Sequence, residues 1–253
     1  MKSNDYNYKH FGFKPYLEES TGRFLLERLE GPEIGTVAPD FTATTLDKKM
    51  VKLSDFRGKI VVLEAGSSTC PATIGTTGDM QKLVRKYPDI AFLLLYVREA
   101  HPGERVPAHI SFDEKLRCAR KFREDEQDNR IIIVDDLEGT VHKQYGLFPN
   151  FIYVINPQGQ VSWRIPWNVP RRLEEVLVSI TKNLNAQLSD EYLLPDIKHV
   201  GFRALRRAGW KAIVDVIRNI PRGIILRGIL TRHYLKKLAT GSAENKKLPP
   251  RKT

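Results

Sequence analysis

Cys70 is the residue whose type and setting could do the most chemistry. It stands in Gly66-Ser67-Ser68-Thr69-Cys70-Pro71, directly after an apolar run. Pro71 suits the first turn of a helix, where a missing N–H costs nothing. The order predicts Cys70 at a helix N-terminus, where free N–H groups and the positive end of the helix dipole lower a cysteine pKa from about 8.5 towards roughly 3.5–7.5. A thiolate made this way is a nucleophile. A lone cysteine at a strand end can equally be a small packing residue, so the surroundings decide.

Those surroundings are elements able to hold such a group. The run Ile60–Leu63 reads as a strand buried on both faces, and Ile90–Val97, Ile131–Val134 and Phe151–Ile155 read the same way. Helical periodicity lies between them at Asp79–Tyr87 and Asp113–Glu126, and Arg171–Leu184 reads as a closing helix. Pro157-Gln158-Gly159 separates Phe151–Asn156 from Gln160–Ile165, which predicts an antiparallel hairpin and hence a mixed sheet. The alternation argues for an α/β sandwich.

The cysteine motif Gly66-Ser67-Ser68-Thr69-Cys70-Pro71 resembles the Gly-Ser-x-Thr-Sec-Pro motif of iodothyronine deiodinases at every fixed position but the selenium. The resemblance continues. Gln81-Lys82-Leu83-Val84-Arg85-Lys86-Tyr87 is similar to the helix after that motif, and Leu95-Tyr96-Val97-Arg98-Glu99-Ala100-His101-Pro102 is similar to the family's Tyr-Ile-Glu-Glu-Ala-His segment. His109, with Leu116 and Ala119 after it, is spaced like the family's second histidine, and Tyr145-Gly146 precedes Pro149. The resemblance covers roughly residues 36–180.

It implies a thioredoxin-like three-layer α/β/α sandwich with a mixed central sheet. It also implies that Cys70 is the nucleophile, that Glu99 and His101 lie near it at a strand end, and that His109 approaches from the next loop. Ser68, Thr69 and Pro149 would face the substrate, Pro149 in the place of the cis proline of thioredoxin-like proteins. A histidine exchanges protons near neutrality and a carboxylate can fix its tautomer. Plainer readings stay open: solvated loop histidines at 101 and 109, a surface charge at Glu99, a trans proline at 149. His10, His142, His199 and His233 are read as surface residues.

Cys118 falls on the apolar side of a helical run with Phe112, Leu116, Ala119 and Phe122, so it is read as packing. An external thiol reductant or a thioredoxin-like protein would then regenerate Cys70, with no cofactor and no metal expected. Sulfur for selenium leaves a weaker nucleophile towards iodine. Ser68 stands where vertebrate-type relatives carry a cysteine, and their amino-terminal membrane anchor has no counterpart in this sequence. Peroxiredoxins place a proline and a threonine at the positions of Leu63 and Ser67. Three readings follow: a thiol-dependent oxidoreductase acting on a halogenated phenolic or related oxidised substrate, a peroxide reductase using the same thiol, and a binding module whose redox site has decayed and whose basic tail docks a membrane or an acidic partner.

The formal charge of +11 is local: residues 186–253 hold 15 Lys and Arg against 5 Asp and Glu. The expected organisation is an extension over 1–35, a redox domain over 36–187 and a basic helical tail over 188–253. A short helix fits Thr21–Leu29. In Val200–Ile220, apolar residues recur at helical spacing among arginines as far as Pro221, and Ile224–Leu238 repeats the mixture. Leu188–Pro195 reads as a linker and Asn245–Thr253 is too polar and proline-rich to fold alone. Residues 200–238 could lie on an anionic membrane, pack on the domain or make a homodimer contact. No nucleic-acid-binding motif accompanies the charge. Two cysteines without CxxC spacing, no signal sequence and no long apolar stretch lead to a cytoplasmic, reducing setting, with peripheral membrane contact as a variant.

Overall fold

The computed structural model describes residues 6–9, 31–188 and 201–221. Its centre is one seven-stranded sheet of β1 (Thr42–Thr45), β2 (Met50–Lys52), β3 (Val61–Gly66), β4 (Ala91–Tyr96), β5 (Ile131–Val134), β6 (Ile152–Ile155) and β7 (Val161–Ile165). The spatial order is β2-β1-β5-β4-β3-β6-β7. β3, β4 and β5 pair in parallel, whereas β1 joins β5, and β6 joins β3 and β7, antiparallel. The sheet is mixed as expected, and the fold is thioredoxin-like.

The central strands are buried at every position, which is why β3 and β4 read as continuous apolar runs. Val62, Phe92, Val154 and Trp163 pack beneath helix α1 (Pro71–Lys86) and helix α4 (Pro170–Lys182) through Met80, Leu83, Leu173 and Leu177. Leu94, Tyr96 and Val134 on the same face meet helix α2 (Phe112–Glu126) through Leu116, Ala119 and Phe122. Alternate residues such as Leu63, Leu95 and Tyr153 pack on the opposite face near the short helix α3 (Thr140–Gln144). Strand alternation thus makes the three layers.

α1 starts at Pro71 as the cysteine motif predicts, and only the periodic trace begins late, at Asp79, because its first turns are threonines and glycines of low helix propensity. Other expectations are corrected. His142 is buried, not on the surface: its Nδ1 meets Tyr6 Oη at 2.8 Å and its Nε2 meets the Phe148 carbonyl at 2.8 Å. The single helix expected over Val200–Ile220 is interrupted at Gly209 (φ +112°), between α5 (Phe202–Ala208) and a helical run over 210–221. Expectations for Thr21–Leu29, His10, His199, His233, Ile224–Leu238 and Asn245–Thr253, and most of the 188–195 linker, lie outside the described residues. Among the described residues no helix is long and apolar enough to cross a membrane.

Candidate active site

The parallel pairing of β3 with β4 sets two chain segments side by side where the strands end. β3 runs into Ser67–Cys70 and α1, while β4 runs into the segment carrying Glu99 and His101. Cys70 is the N-cap of α1 with Pro71 behind it, as its sequence predicts. The expected low pKa is corrected: Cys70 is only 2% exposed and burial pushes its thiol up, against the Thr73 hydroxyl and the N–H groups of Thr73 and Ala72, which favour the thiolate. Desolvation of the charged form outweighs the helix terminus in this closed arrangement.

Glu99 is the hub of the site. Its Oε2 accepts from Thr69 N at 2.9 Å and Thr69 Oγ1 at 2.6 Å, and its Oε1 accepts from Ser68 Oγ at 3.1 Å and from the Tyr96 hydroxyl. His109 Nε2 lies 3.3 Å from the same Oε1, and both side chains are wholly buried. Burial alone would raise the carboxyl pKa, but His109 and the hydroxyls of Thr69 and Tyr96 hold it below the usual range. The carboxylate therefore fixes the loop immediately before Cys70. Glu99, His109 and Cys118 each bring a ligand atom within 4.8 Å of the others. The Glu99 oxygens already hold four donors, and burial pushes the Cys118 thiol up to about 12.

The sequence pairs Glu99 with His101; the structure pairs it with His109. His101 is tied in through its backbone, whose N–H donates to Thr69 Oγ1 at 3.1 Å. The segment leaves the strand after Tyr96, so spacing by two no longer places side chains on one face. Pro149 lies just before β6, and the cis expectation is corrected: among the described residues every peptide bond is trans. Its neighbour Asn150 reaches the site instead, with Nδ2 2.9 Å from Glu64 Oε1, 3.2 Å from the Ala65 carbonyl and 3.2 Å from Thr73 Oγ1.

Glu64 belongs to a buried charged cluster that sequence reading misses. Arg130 bonds Glu64 Oε2, and its Nε lies 3.0 Å from each Asp128 oxygen, while Gln81 Nε2 donates to Asp128 Oδ1 at 2.9 Å. Burial raises the Glu64 pKa against the pull of Arg130. The only sequence signal was a carboxylate interrupting an apolar strand.

Histidines supply a stability prediction. Burial holds the His101 pKa down at about 4, and burial with the charge of Arg98 keeps His142 well below its usual range. Both fold as neutral rings, so below about 6.5 the unfolded chain binds more protons than the folded one. Stability is expected to be full above that pH and to fall as the pH drops towards 4, with His101 contributing on the order of 2 kcal/mol. Urea melts of wild type and His101→Gln at pH 7 and pH 4.5 measure it. The variant should lose less stability between the two pH values, and equal losses would remove His101 from the account.

The described tail lies against this site. Gly201 N donates to the Pro71 carbonyl at 2.9 Å, and Arg207 Nη1 lies 3.3 Å from the Ser68 carbonyl. On the other flank, Arg105 N donates to the Ala208 carbonyl at 3.0 Å, and Glu104 accepts from Trp210 N at 2.8 Å and Lys211 N at 3.1 Å.

Comparison with known proteins gives the same outline. A family model described as iodothyronine deiodinase matches residues 15–178. The thyroxine 5-deiodinase of Sus scrofa is 29% identical over 105 residues, 38% of this chain and 34% of the relative. The match thus spans about a third of that relative's length. The thiol-disulfide oxidoreductase ResA of a Bacillus thuringiensis strain is 29% identical over 154 residues, 60% of this chain and 81% of that protein. A crystal structure of a hypothetical protein from Sinorhizobium meliloti superposes with a TM-score of 0.52 at 14% identity, over 67% of this chain and 96% of the other, a likeness of fold alone.

Proposed function

This chain belongs to the iodothyronine deiodinase family, and from that premise we propose that it is a thiol-dependent oxidoreductase in which Cys70 attacks an iodinated phenol or a related small oxidised substrate. The observation that carries the reading is the position of Cys70 at the N-terminus of α1, behind a loop clamped by Glu99. The Cys70 sulfur takes the iodine, the carbon–iodine bond breaks, and the ring carbon receives a proton. An external thiol then displaces iodide from sulfur to give a mixed disulfide, and a second thiol releases Cys70. In sum, one iodinated phenol and two thiols become the phenol, a disulfide, iodide and a proton.

Each surrounding residue has a part. Thr73 and the first N–H groups of α1 favour the thiolate. His109, with His101 at the same loop, serves proton transfer to the leaving ring, and Glu99 positions Thr69 and His109. Cys118 is poorly suited to resolving a disulfide because its thiol stays protonated. The second reading, thiol–disulfide exchange with a small thiol or thioredoxin-like partner, is favoured by the 29% identity to ResA over 154 residues. Peroxide reduction uses the same thiol and is a third arm of the test.

The test offers the full chain, with dithiothreitol as reductant, an iodinated phenol, a small disulfide and hydrogen peroxide. Wild type and Cys118→Ser should release iodide, and Cys70→Ser should not. Disulfide turnover without iodide release would move the assignment to thiol–disulfide exchange, and peroxide consumption alone would move it to peroxide reduction. No Cys70-dependent turnover with any of the three would sink the enzyme reading in favour of a binding module.

A further inference from the structure

We propose that residues 201–221 form a displaceable lid that closes the Cys70 site by bridging the loop before α1 to the loop between β4 and α2. The inference rests on Cys70 being the working thiol and adds how access to it is controlled. Cys70 is 2% exposed, Ser68 4% and Thr69 0%. No ring-sized molecule reaches the sulfur in that state, so one wall must move.

The walls differ in how firmly they are held. β3, β4 and α1 belong to the sheet and its covering layer, with continuous backbone ladders. The tail is held differently. Its buried contacts are mostly small, through Ala204, Leu205, Ala208 and Ala212. The rest are polar attachments at either side of Cys70: Gly201 to the Pro71 carbonyl, Arg207 to the Ser68 carbonyl, Arg105 to the Ala208 carbonyl, and the Glu104 carboxylate on the first N–H groups of the 210–221 helix. Arg207 Nη2 also lies 2.6 Å from Glu126 Oε1, and Arg203 Nη2 lies 3.2 Å from Glu126 Oε2. The Arg203 side chain is 63% exposed, whereas those of Arg207 and Glu126 are 18% and 3% exposed, so the outer pair is weak and salt-sensitive and the inner one is screened less. This is a latch with a small apolar seat, in which Ala204 joins the core cluster of Ile74, Leu94 and Tyr96.

Two glycines mark where the lid touches its seat. A Cβ at Gly103 would stand 2.4 Å from the Ala208 carbonyl oxygen, and one at Gly201 would stand 2.9 Å from Gly75 N. Neither glycine has a positive φ, so a side chain there acts as a wedge under the lid without forcing the local backbone.

The experiment uses the full chain in a Cys118→Ser background, so that Cys70 alone reacts. Iodoacetamide labelling rates and amide hydrogen exchange over 202–221 are measured for that parent, Gly103→Val and Gly201→Val, at low salt and at about 0.5 M salt. Both wedges should speed lid exchange and Cys70 labelling together, by about tenfold for a closed state weakened by about 1.4 kcal/mol. Salt should speed both slightly in the parent, through the exposed Arg203 pair. Faster lid exchange with unchanged labelling would overturn the proposal, because the tail would then not guard the thiol. Unchanged lid exchange in both wedges would overturn it too, because the tail would be a fixed part of the domain. Labelling reads access to sulfur and not turnover, so the lid can fail while the proposed activity stands, and the reverse.

Discussion

Arg130→Met is expected to cost about 3–5 kcal/mol of folding stability, the usual result of stranding a charge in a protein interior. For a chain of this size that corresponds to a melting temperature lower by roughly 10 °C. The Arg130 side chain is 1% exposed and lies between Glu64 and Asp128, whose side chains are 1% and 0% exposed. Removing it leaves two carboxylates without their cation in a buried region where the remaining donors, Gln81, Asn150, Asn168 and the backbone N–H at 130, are all neutral. Thermal and urea melts measure the loss. Adding Glu64→Gln to Arg130→Met should restore part of it, because the amide keeps the shape and discards one stranded charge. A loss below about 1 kcal/mol in the single variant would mean that water reaches the cluster.

Glu99→Gln should lower Cys70-dependent turnover by about 100-fold or more, the range expected when proton-handling groups lose their arrangement. The amide has the size of the carboxylate but one fewer acceptor oxygen, and its NH2 must face donors whichever way it turns: Thr69 N and Oγ1 on one side, Ser68 Oγ, Tyr96 and His109 on the other. Because Glu99 acts through Thr69 and His109, the loss should fall on kcat, and the pH profile of kcat should move with it. A variant with a lower melting temperature but wild-type kcat and pH profile would reduce Glu99 to a structural residue.

How far the sequence reaches depends on what each residue's neighbours are. β5 has the bounds its apolar run predicts, and β6, β7 and α4 agree within about two residues, because burial on both faces or on one stripe leaves a periodic trace. β3 runs on through Glu64 to Gly66 where the apolar run stops at Leu63, since a cation distant in sequence makes a carboxylate acceptable inside a sheet. The hairpin of β1 and β2 is polar and short and leaves little pattern. At the site, Cys70 is legible because its motif is contiguous. The Glu99–His109 contact is not, because loop geometry brings His109 onto the carboxylate in place of the His101 that the sequence sets beside it. His142 shows the same limit: a buried polar ring needs Tyr6 and the Phe148 carbonyl, and neither is visible from its own position.

Thr73 occupies the place one turn after Cys70 where dithiol oxidoreductases carry their second cysteine. Two thiols on one helix terminus meet at a very high effective concentration, so a dithiol site clears its own adduct without waiting for another molecule. With a hydroxyl there, an adduct on Cys70 in the proposed reaction would endure until a second thiol arrived by diffusion. The rate of clearance then belongs to the surroundings as much as to the protein: where thiols are plentiful the sulfur is returned quickly, and where they are scarce it stays occupied. On the proposed chemistry, a threonine in place of a second cysteine would thereby make the resting state a gauge of the local thiol supply.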